Sequence, residues 1–309
     1  MKPIKIAIIG YGKIATDQHV PSIHGNERFD LVATSSRSGQ GVAQTFADWR
    51  ELLRTVDGLQ AVAITTPPEP RFEIARECIA AGLHCLLEKP PTAGLAQIAE
   101  LDCLAEAKGV TLFTTWHVQH NAAVDEAARL LAGKHIKSMS VRWHENVHKW
   151  HPGQQWIFEA GGFGVFDPGI NALSAITKIM PGAVFVKSAQ LQVPENAQAP
   201  IAATIELGCT AADSSLNVSF DFRWHDDEEW TIDIDTAEGT QLSLQRGGAI
   251  LFVDGAERPC SGIGEYPDIY RTFADLIDER RSLVDVAPFR LVADCLLVGV
   301  TTKVEAIQM

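Results

Sequence analysis

The sequence lacks an apolar run of the ~18 residues that a helical membrane span needs, so no membrane partner is expected. It lacks paired cysteines. Cys78, Cys85, Cys103, Cys209, Cys260 and Cys295 stand singly, none in a CxxC pair and most in apolar runs. They read as reduced, buried thiols of a cytoplasmic protein. Positive charge is also short: 26 Lys and Arg face 39 Asp and Glu, a net charge of −13. An acidic surface repels phosphate backbones, which argues against nucleic acid as a partner. A phosphate-bearing cofactor would then need a local site, since no general field attracts it. There is no internal repeat, low-complexity tract or long linker. Met1-Lys2-Pro3-Ile4 runs straight into a strand-like stretch with no signal-peptide pattern, so a cytoplasmic location is expected.

What is present is apolar substance and a change of rhythm. The 309 residues suit two domains, and a 46% hydrophobic content allows a sizeable core in each. Strands read at 4–9, 31–35, 61–66, 83–87 and 110–115, separated by helical patterns at 48–56, 70–81 and 93–108. Alternation of this kind implies βαβ units and a parallel sheet covered on both faces. After about residue 120 the rhythm changes. A helix (121–132), a strand (136–144), a Gly-rich loop (160–164) and a helix (168–179) lead to strand-like stretches at 184–193, 200–208, 214–222, 229–236, 240–246 and 249–253. Short turns join many of them, as in an open, mostly antiparallel sheet. Helices at 267–281 and 287–307 would close the chain.

Gly10-Tyr11-Gly12-Lys13-Ile14-Ala15 follows the first strand and opens the first helix. In this G-x-G-x-x-A pattern the first glycine permits the tight turn and the second lets backbone approach a pyrophosphate. The small last residue lets helix pack on strand. Free amides at Lys13 and Ile14 and the helix dipole would face the phosphates. The expected fold is therefore α/β. A Rossmann doubly wound parallel sheet spans 1–120. An α+β domain with an open, mostly antiparallel sheet spans 121–309, and its C-terminal helix is a candidate to pack back on the first domain. At the end of the second strand, Thr34-Ser35-Ser36-Arg37-Ser38 holds no carboxylate for a ribose 2′-hydroxyl. Ser36 and Arg37 can hold a 2′-phosphate, so NADP is expected to be accepted, with NAD left open. The alternative is that Arg37 is a solvated loop residue. Thr66 and Pro67, in Thr65-Thr66-Pro67-Pro68, either line the cofactor crevice, mark a helix start, or do both.

Glu88-Lys89-Pro90-Pro91 stands at the carboxyl end of the strand at 83–87. An ammonium there can favour alkoxide formation or relay a proton. Gly10–Ala15, Glu88-Lys89-Pro90 and a later Asp before a helix together resemble the glucose–fructose oxidoreductase/inositol dehydrogenase (Gfo/Idh/MocA) family. The resemblance covers the whole chain in order and domain size. It implies a dinucleotide-dependent enzyme of sugars or polyols, with Glu88 and Lys89 at the cofactor and Lys89 beside the substrate. It also implies a homodimer through the open sheet, on the supposition that this sheet exposes an apolar face. The family's second signature is Asp followed four residues later by His. Asp167 matches, and Asn171 stands for the His. Asparagine cannot act as acid or base near neutrality, so it would only orient the substrate. Lys89 and Asp167 are then the proton-transfer candidates. Read without the resemblance, Asp167 before Pro168 is a helix N-cap.

The stretches Arg142–Pro152, Gly153–Trp156 and Phe166–Asn171 resemble the pyranose 1-dehydrogenases within the family, which act on D-galactose and L-arabinose. The resemblance implies a sugar site of Trp150, His151, Glu145, His117 and Trp230, since sugars need a stacking ring and several hydrogen-bonding groups. A metal held by His144, His148 and His151 is the competing reading. The seven-residue gap from His144 to His151 and the lack of an HExxH order argue against it, and no metal is expected. His19, His24, His84, His120, His135 and His225 carry no motif. The functional expectation is an NAD(P)-dependent aldose 1-dehydrogenase forming a lactone. Its rivals are an inositol or polyol dehydrogenase and a non-catalytic dinucleotide-binding sensor.

Overall fold

A computed structural model of the chain describes residues 2–214 and 216–308. Ser215, which falls in the expected strand 214–222, lies outside them, as do the two terminal residues. The chain divides into two compact units, residues 1–117 with 263–285 and residues 118–262 with 286–309.

In the first unit, β1 (Ile4–Ile9) leads through the glycine turn into helical chain from residue 13. One turn of this helix, Ala15–His19, is wound as a π-helix before α1 (Val20–His24). There follow β2 (Phe29–Ser35), β3 (Gln44–Phe46), α2 (Trp49–Thr55), β4 (Ala61–Ile64), α3 (Pro68–Ala80), β5 (His84–Leu87), α4 (Leu95–Lys108) and β6 (Leu112–Thr114). Asp48 caps α2 by accepting from the Arg50 amide at 2.9 Å. Gly109, in the left-handed region, ends α4. The six strands run parallel in the order β3-β2-β1-β4-β5-β6, the doubly wound arrangement expected. Strand β3 is an unforeseen addition at the edge. Its three residues are too few to show a period of two.

The second unit opens with α5 (Ala122–Leu131) and β7 (Ile136–His144), then α6 (Val147–Trp150) and α7 (Phe166–Ile179). Strands β8 (Val184–Pro194), β9 (Ala202–Cys209), β10 (Leu216–Asp221), β11 (Glu229–Thr236), β12 (Gln241–Gln245), β13 (Ile250–Val253) and β14 (Ala256–Arg258) follow. The chain then makes α8 (Glu265–Asp278), part of the first unit, and returns with α9 (Ala287–Val298) and β15 (Val300–Val304). The nine-stranded sheet runs β14-β13-β12-β11-β7-β10-β9-β8-β15. Only the β7–β10 and β8–β15 pairs are parallel, so it is mixed and mostly antiparallel.

Two expectations need correction. The helix drawn over 287–307 stops at Val298, and residues 300–304 pair with β8. The β-branched run Val300-Thr301-Thr302 prefers extended chain. The outer face is not apolar on β7, β11 and β12 either. Along β7 the buried Met139, Val141 and Trp143 alternate with Ser138, Ser140 and Arg142. These outward residues join a ladder of side-chain bonds: Ser138 to Asp235 (2.8 Å), Arg142 to Asp233 (2.9 Å) and Ser243 to Asp233 (2.6 Å).

Helix α8 completes the first unit. Its Tyr266, Ile269, Tyr270, Phe273 and Leu276 share one core with Ile6 and Ile8 of β1, Ala63 of β4, Leu86 of β5 and Phe113 of β6. The Phe273 ring stacks on Phe29 at 5.9 Å. The second core lies between the inner sheet face and α7, where Gly169 meets the Phe220 ring.

Candidate active site

The glycine turn comes first. Gly10 has φ +105°, and a Cβ there would stand 2.6 Å from the Thr66 amide nitrogen. Only glycine lets β1 end this close to the segment after β4. Nothing lies within 4 Å of the place a Cβ on Gly12 would take, so its backbone is bare to an approaching group. The Thr66 hydroxyl is buried with no hydrogen-bond partner. A bare backbone at a helix start and an unsatisfied hydroxyl fit a dinucleotide pyrophosphate. Pro67 precedes α3 as its N-cap residue and Pro68 opens the helix. Lys13 and Ile14 lie in the first helical turn after the fingerprint, and the Lys13 ammonium pairs with Asp17. Ser36 follows β2 and hydrogen-bonds the Gln40 carbonyl (2.7 Å) and the Ser38 hydroxyl (3.1 Å), with Arg37 exposed beside it.

The Glu88–Pro90 segment leaves β5 under tight restraint. Glu88 is buried. Its Oε1 accepts from the Tyr266 hydroxyl at 2.7 Å and lies 3.1 Å from His19 Nε2. Its Oε2 accepts from the Lys89 amide at 2.8 Å. Burial opposes the carboxylate charge, but the His19 hydrogen bond and the charges of His19 and His117 outweigh it, holding the carboxyl below its ordinary range. Arg71, also buried, donates to the carbonyls of Thr66, Glu88 and Pro90. His117 stacks on Tyr266 (5.9 Å) and bonds Glu265 through Nδ1 at 2.9 Å. Burial would lower its pKa, yet the Glu265 hydrogen bond and charge raise it.

In the second unit, Asn146 caps the single turn α6 by accepting from the His148 amide at 2.9 Å. That turn leaves His148 exposed and ends at His151. His151 Nε2 lies 3.9 Å from Glu145 Oε1 and 3.8 Å from Asp167 Oδ2, both buried carboxylates. Trp230 donates to Glu145 Oε2 at 3.0 Å and its ring sits 5.4 Å from that of Trp150. Trp150 in turn donates to Glu228 at 3.1 Å. Asp167 is not a cap. Helix α7 begins a residue earlier, with Val165 as N-cap, so Asp167 lies within the first turn and four residues before Asn171. His144 is turned elsewhere, to Glu229 (3.2 Å) and Ser219 (2.9 Å). No group of three or more His, Cys, Asp or Glu among the described residues is arranged to hold a metal.

Five of the sequence-derived residues thus form one cluster: Glu145, Trp150, His151, Asp167 and Trp230, with Asn171 one helical turn on. Lys89, Glu88 and His117 belong to the first unit, where Tyr266 of α8 bonds Glu88 and Glu265 of α8 bonds His117. Sequence reasoning missed His19, Arg71, Tyr266 and Tyr270. Their partners lie 5 to 251 residues away, so no local pattern marks them.

A parallel sheet in this strand order, with a bare glycine turn at its first βα corner, defines a dinucleotide-binding oxidoreductase. Residues 4–116 match the family model described as "Oxidoreductase family, NAD-binding Rossmann fold". The chain is 43% identical over 308 residues to galactose 1-dehydrogenase of Pseudomonas fluorescens, covering 99% of each. It superposes on the crystal structure of D-galactose-1-dehydrogenase from Rhizobium etli with a TM-score of 0.93 and 44% identity, over 100% of this chain and 99% of that one. The 3-ketoreductase KijD10 from Actinomadura kijaniata, in complex with TDP-benzene and NADP, shares the fold alone: TM-score 0.82, 16% identity, 98% and 99% coverage. The protein belongs to the Gfo/Idh/MocA oxidoreductase family, whose cofactor is NAD(P).

Proposed function

We propose that the protein is an NAD(P)-dependent aldose 1-dehydrogenase, oxidising D-galactose, L-arabinose or a similar pyranose to its lactone. The observation that carries this reading is the cluster of Glu145, His151 and Asp167 beside Trp150 and Trp230, on a chain similar over its full length to a galactose 1-dehydrogenase. Two buried carboxylates and an imidazole supply acceptors and donors for adjacent hydroxyls, and the indoles supply apolar faces for a ring. Asn171 adds a neutral amide on the same helix face as Asp167.

Oxidation at C1 removes a hydride from carbon and a proton from the hydroxyl. The nicotinamide ring, when bound, takes the hydride. Gly10, Gly12, Thr66 and the helix start after the glycine turn hold the dinucleotide. Lys89 or Asp167 takes the proton, leaving a C1 carbonyl in the ring, the lactone. Glu145, His151 and His117 fix the other hydroxyls. Ser36 and Arg37 favour NADP.

The test is absorbance at 340 nm with a panel of aldoses and inositols against both cofactors. Lactone formation from an aldose is expected; turnover of inositols alone, or of nothing, would overturn the reading. The Lys89→Ala and Asp167→Ala variants are expected to bind NADPH normally and to lose kcat by 10²-fold or more, on the order of a lost general base. Near-normal kcat in both would remove the two residues from the chemistry.

A further inference from the structure

The Lys89 peptide is held by residues to which the reaction just described gives no part. The Lys89 amide is held by the Glu88 carboxylate, and the carbonyls on either side of Lys89, those of Glu88 and Pro90, are held by Arg71. The peptide carrying the ammonium is gripped at both flanks. Glu88 is itself positioned by two groups far along the chain. Tyr266 of α8 donates to Oε1, and His19 reaches the same oxygen.

The direction of the second link follows from donor chemistry. An ionised carboxylate only accepts, so His19 Nε2 carries the proton it shares with Glu88. Nδ1 of the same ring shares a hydrogen bond with the Tyr270 hydroxyl at 2.7 Å. The network runs from Tyr270 through His19 to Glu88, joined at Glu88 by Tyr266. His19 and Tyr270 are fully buried, and Glu88 and Tyr266 nearly so. Satisfied buried networks of this kind fix a single geometry, because each lost bond leaves a polar group unpaired away from water.

We propose that His19, Tyr266 and Tyr270 are positioning residues that act through the Glu88 carboxylate to set the Lys89 peptide, and through it the Lys89 ammonium, for proton transfer. A core needing only apolar filling would be served by phenylalanine at 266 and 270. Here the Tyr266 hydroxyl meets the Glu88 carboxylate directly and the Tyr270 hydroxyl meets it through His19, while the second carboxylate oxygen ends on the reactive residue's own amide. The proposal rests on the dehydrogenase reading for the role of Lys89, but the lock itself does not depend on which substrate is used.

The test compares the full chain with Tyr266→Phe, Tyr270→Phe and Glu88→Gln. A displaced Lys89 amine should lower kcat by roughly 10- to 100-fold. In the two Tyr→Phe variants the KM for sugar and the Kd for NADPH should stay within about twofold, because neither hydroxyl touches the second-unit cluster or the glycine turn. The primary isotope effect with 1-deuterated galactose should rise as the chemical step becomes slower. Glu88→Gln, which sets an amide NH2 against a donor whichever way the amide is turned, should fall furthest. Unchanged kcat and isotope effect with a lowered Tm would reduce the network to a structural role and overturn the proposal. A second readout separates failure of the lock from failure of the functional reading. Lysines are methylated with ¹³C, and the Lys89 resonance is assigned by its loss in Lys89→Arg. If the wild-type protein oxidises no sugar, the functional reading falls. The lock then stands if the Lys89 resonance shifts in Tyr266→Phe and Glu88→Gln, and falls if it does not move.

Discussion

Two glycines two residues apart answer different demands. Gly10 meets a steric one, since its φ of +105° and the 2.6 Å approach to Thr66 leave no room for a methyl group. Gly12 meets no steric one, since an added Cβ would enter empty space; the demand on it is the dinucleotide of the proposed function. Gly10→Ala should therefore cost stability, about 1–3 kcal/mol for the backbone strain alone, seen as a Tm lowered by several degrees. Gly12→Ala should leave Tm within about 1 °C yet weaken NADPH binding by tenfold or more, read by fluorescence titration. Equal effects of the two on Tm would contradict this division. Arg37→Ala should raise the KM for NADP without raising that for NAD, since the guanidinium is exposed at the end of β2 and its proposed partner is the 2′-phosphate. These residues were legible because the turn is contiguous and its chemistry local. Arg71 was not, since what marks it is its bonds to three carbonyls from two different loops.

At the scale of an element, helix α7 shows propensity and packing in conflict. Gly169 is interior to the helix, where alanine would be better by about 1 kcal/mol. A Cβ there would fall 2.6 Å and 2.7 Å from two carbons of the Phe220 ring on β10. Overpacking of that kind costs about 1–3 kcal/mol, so packing wins and Gly169→Ala should lower the denaturation midpoint. Adding Phe220→Leu should recover part of the loss. A stabilised Gly169→Ala protein would show that the helix can move off the sheet. The same contact seats α7, and with it Asp167, against the sheet. The closing segment teaches a complementary lesson. Residues 287–307 carry enough apolar character to read as one helix. The break at Gly299 depends on its neighbours, because a Cβ there would fall 2.3 Å from the Cys295 carbonyl and 2.9 Å from the Leu191 side chain. The strand that follows needs β8, more than 100 residues earlier, to exist at all.

At the scale of the whole molecule, the chain order and the units disagree. The first unit takes α8 from beyond residue 260. Burying Tyr266, Ile269, Tyr270, Phe273 and Leu276 is worth about 1.5–3 kcal/mol per side chain, together comparable with the whole stability of a domain. A fragment of residues 1–117 should therefore lack near-ultraviolet circular dichroism and NADPH binding, and linking it to residues 263–285 should restore both. A folded, binding-competent 1–117 fragment would refute the claim. The His117–Glu265 pair ties the same helix electrostatically. The pKa of His117 is raised in the fold, so its contribution is complete below the unfolded value of ~6.5 and is lost as pH rises through the folded value. The stability difference between wild type and Glu265→Gln should accordingly be largest below pH ~6.5 and shrink towards alkaline pH. In an NMR titration the His117 midpoint should drop in Glu265→Gln. A difference that grew with pH would reverse the assignment.

The amino-acid sequence by itself determined what is periodic or contiguous. The parallel sheet follows from alternation, the cofactor corner from six consecutive residues, and Lys89 and Asp167 from short motifs with fixed neighbours. Tertiary structure alone decided which residues hold Lys89, which unit owns α8, where the last helix stops and which face of the second sheet is polar. Those outcomes depend on side chains separated by up to 251 residues meeting in one place. A hydrogen bond or a steric limit between distant residues leaves no period in the chain for a reader to find.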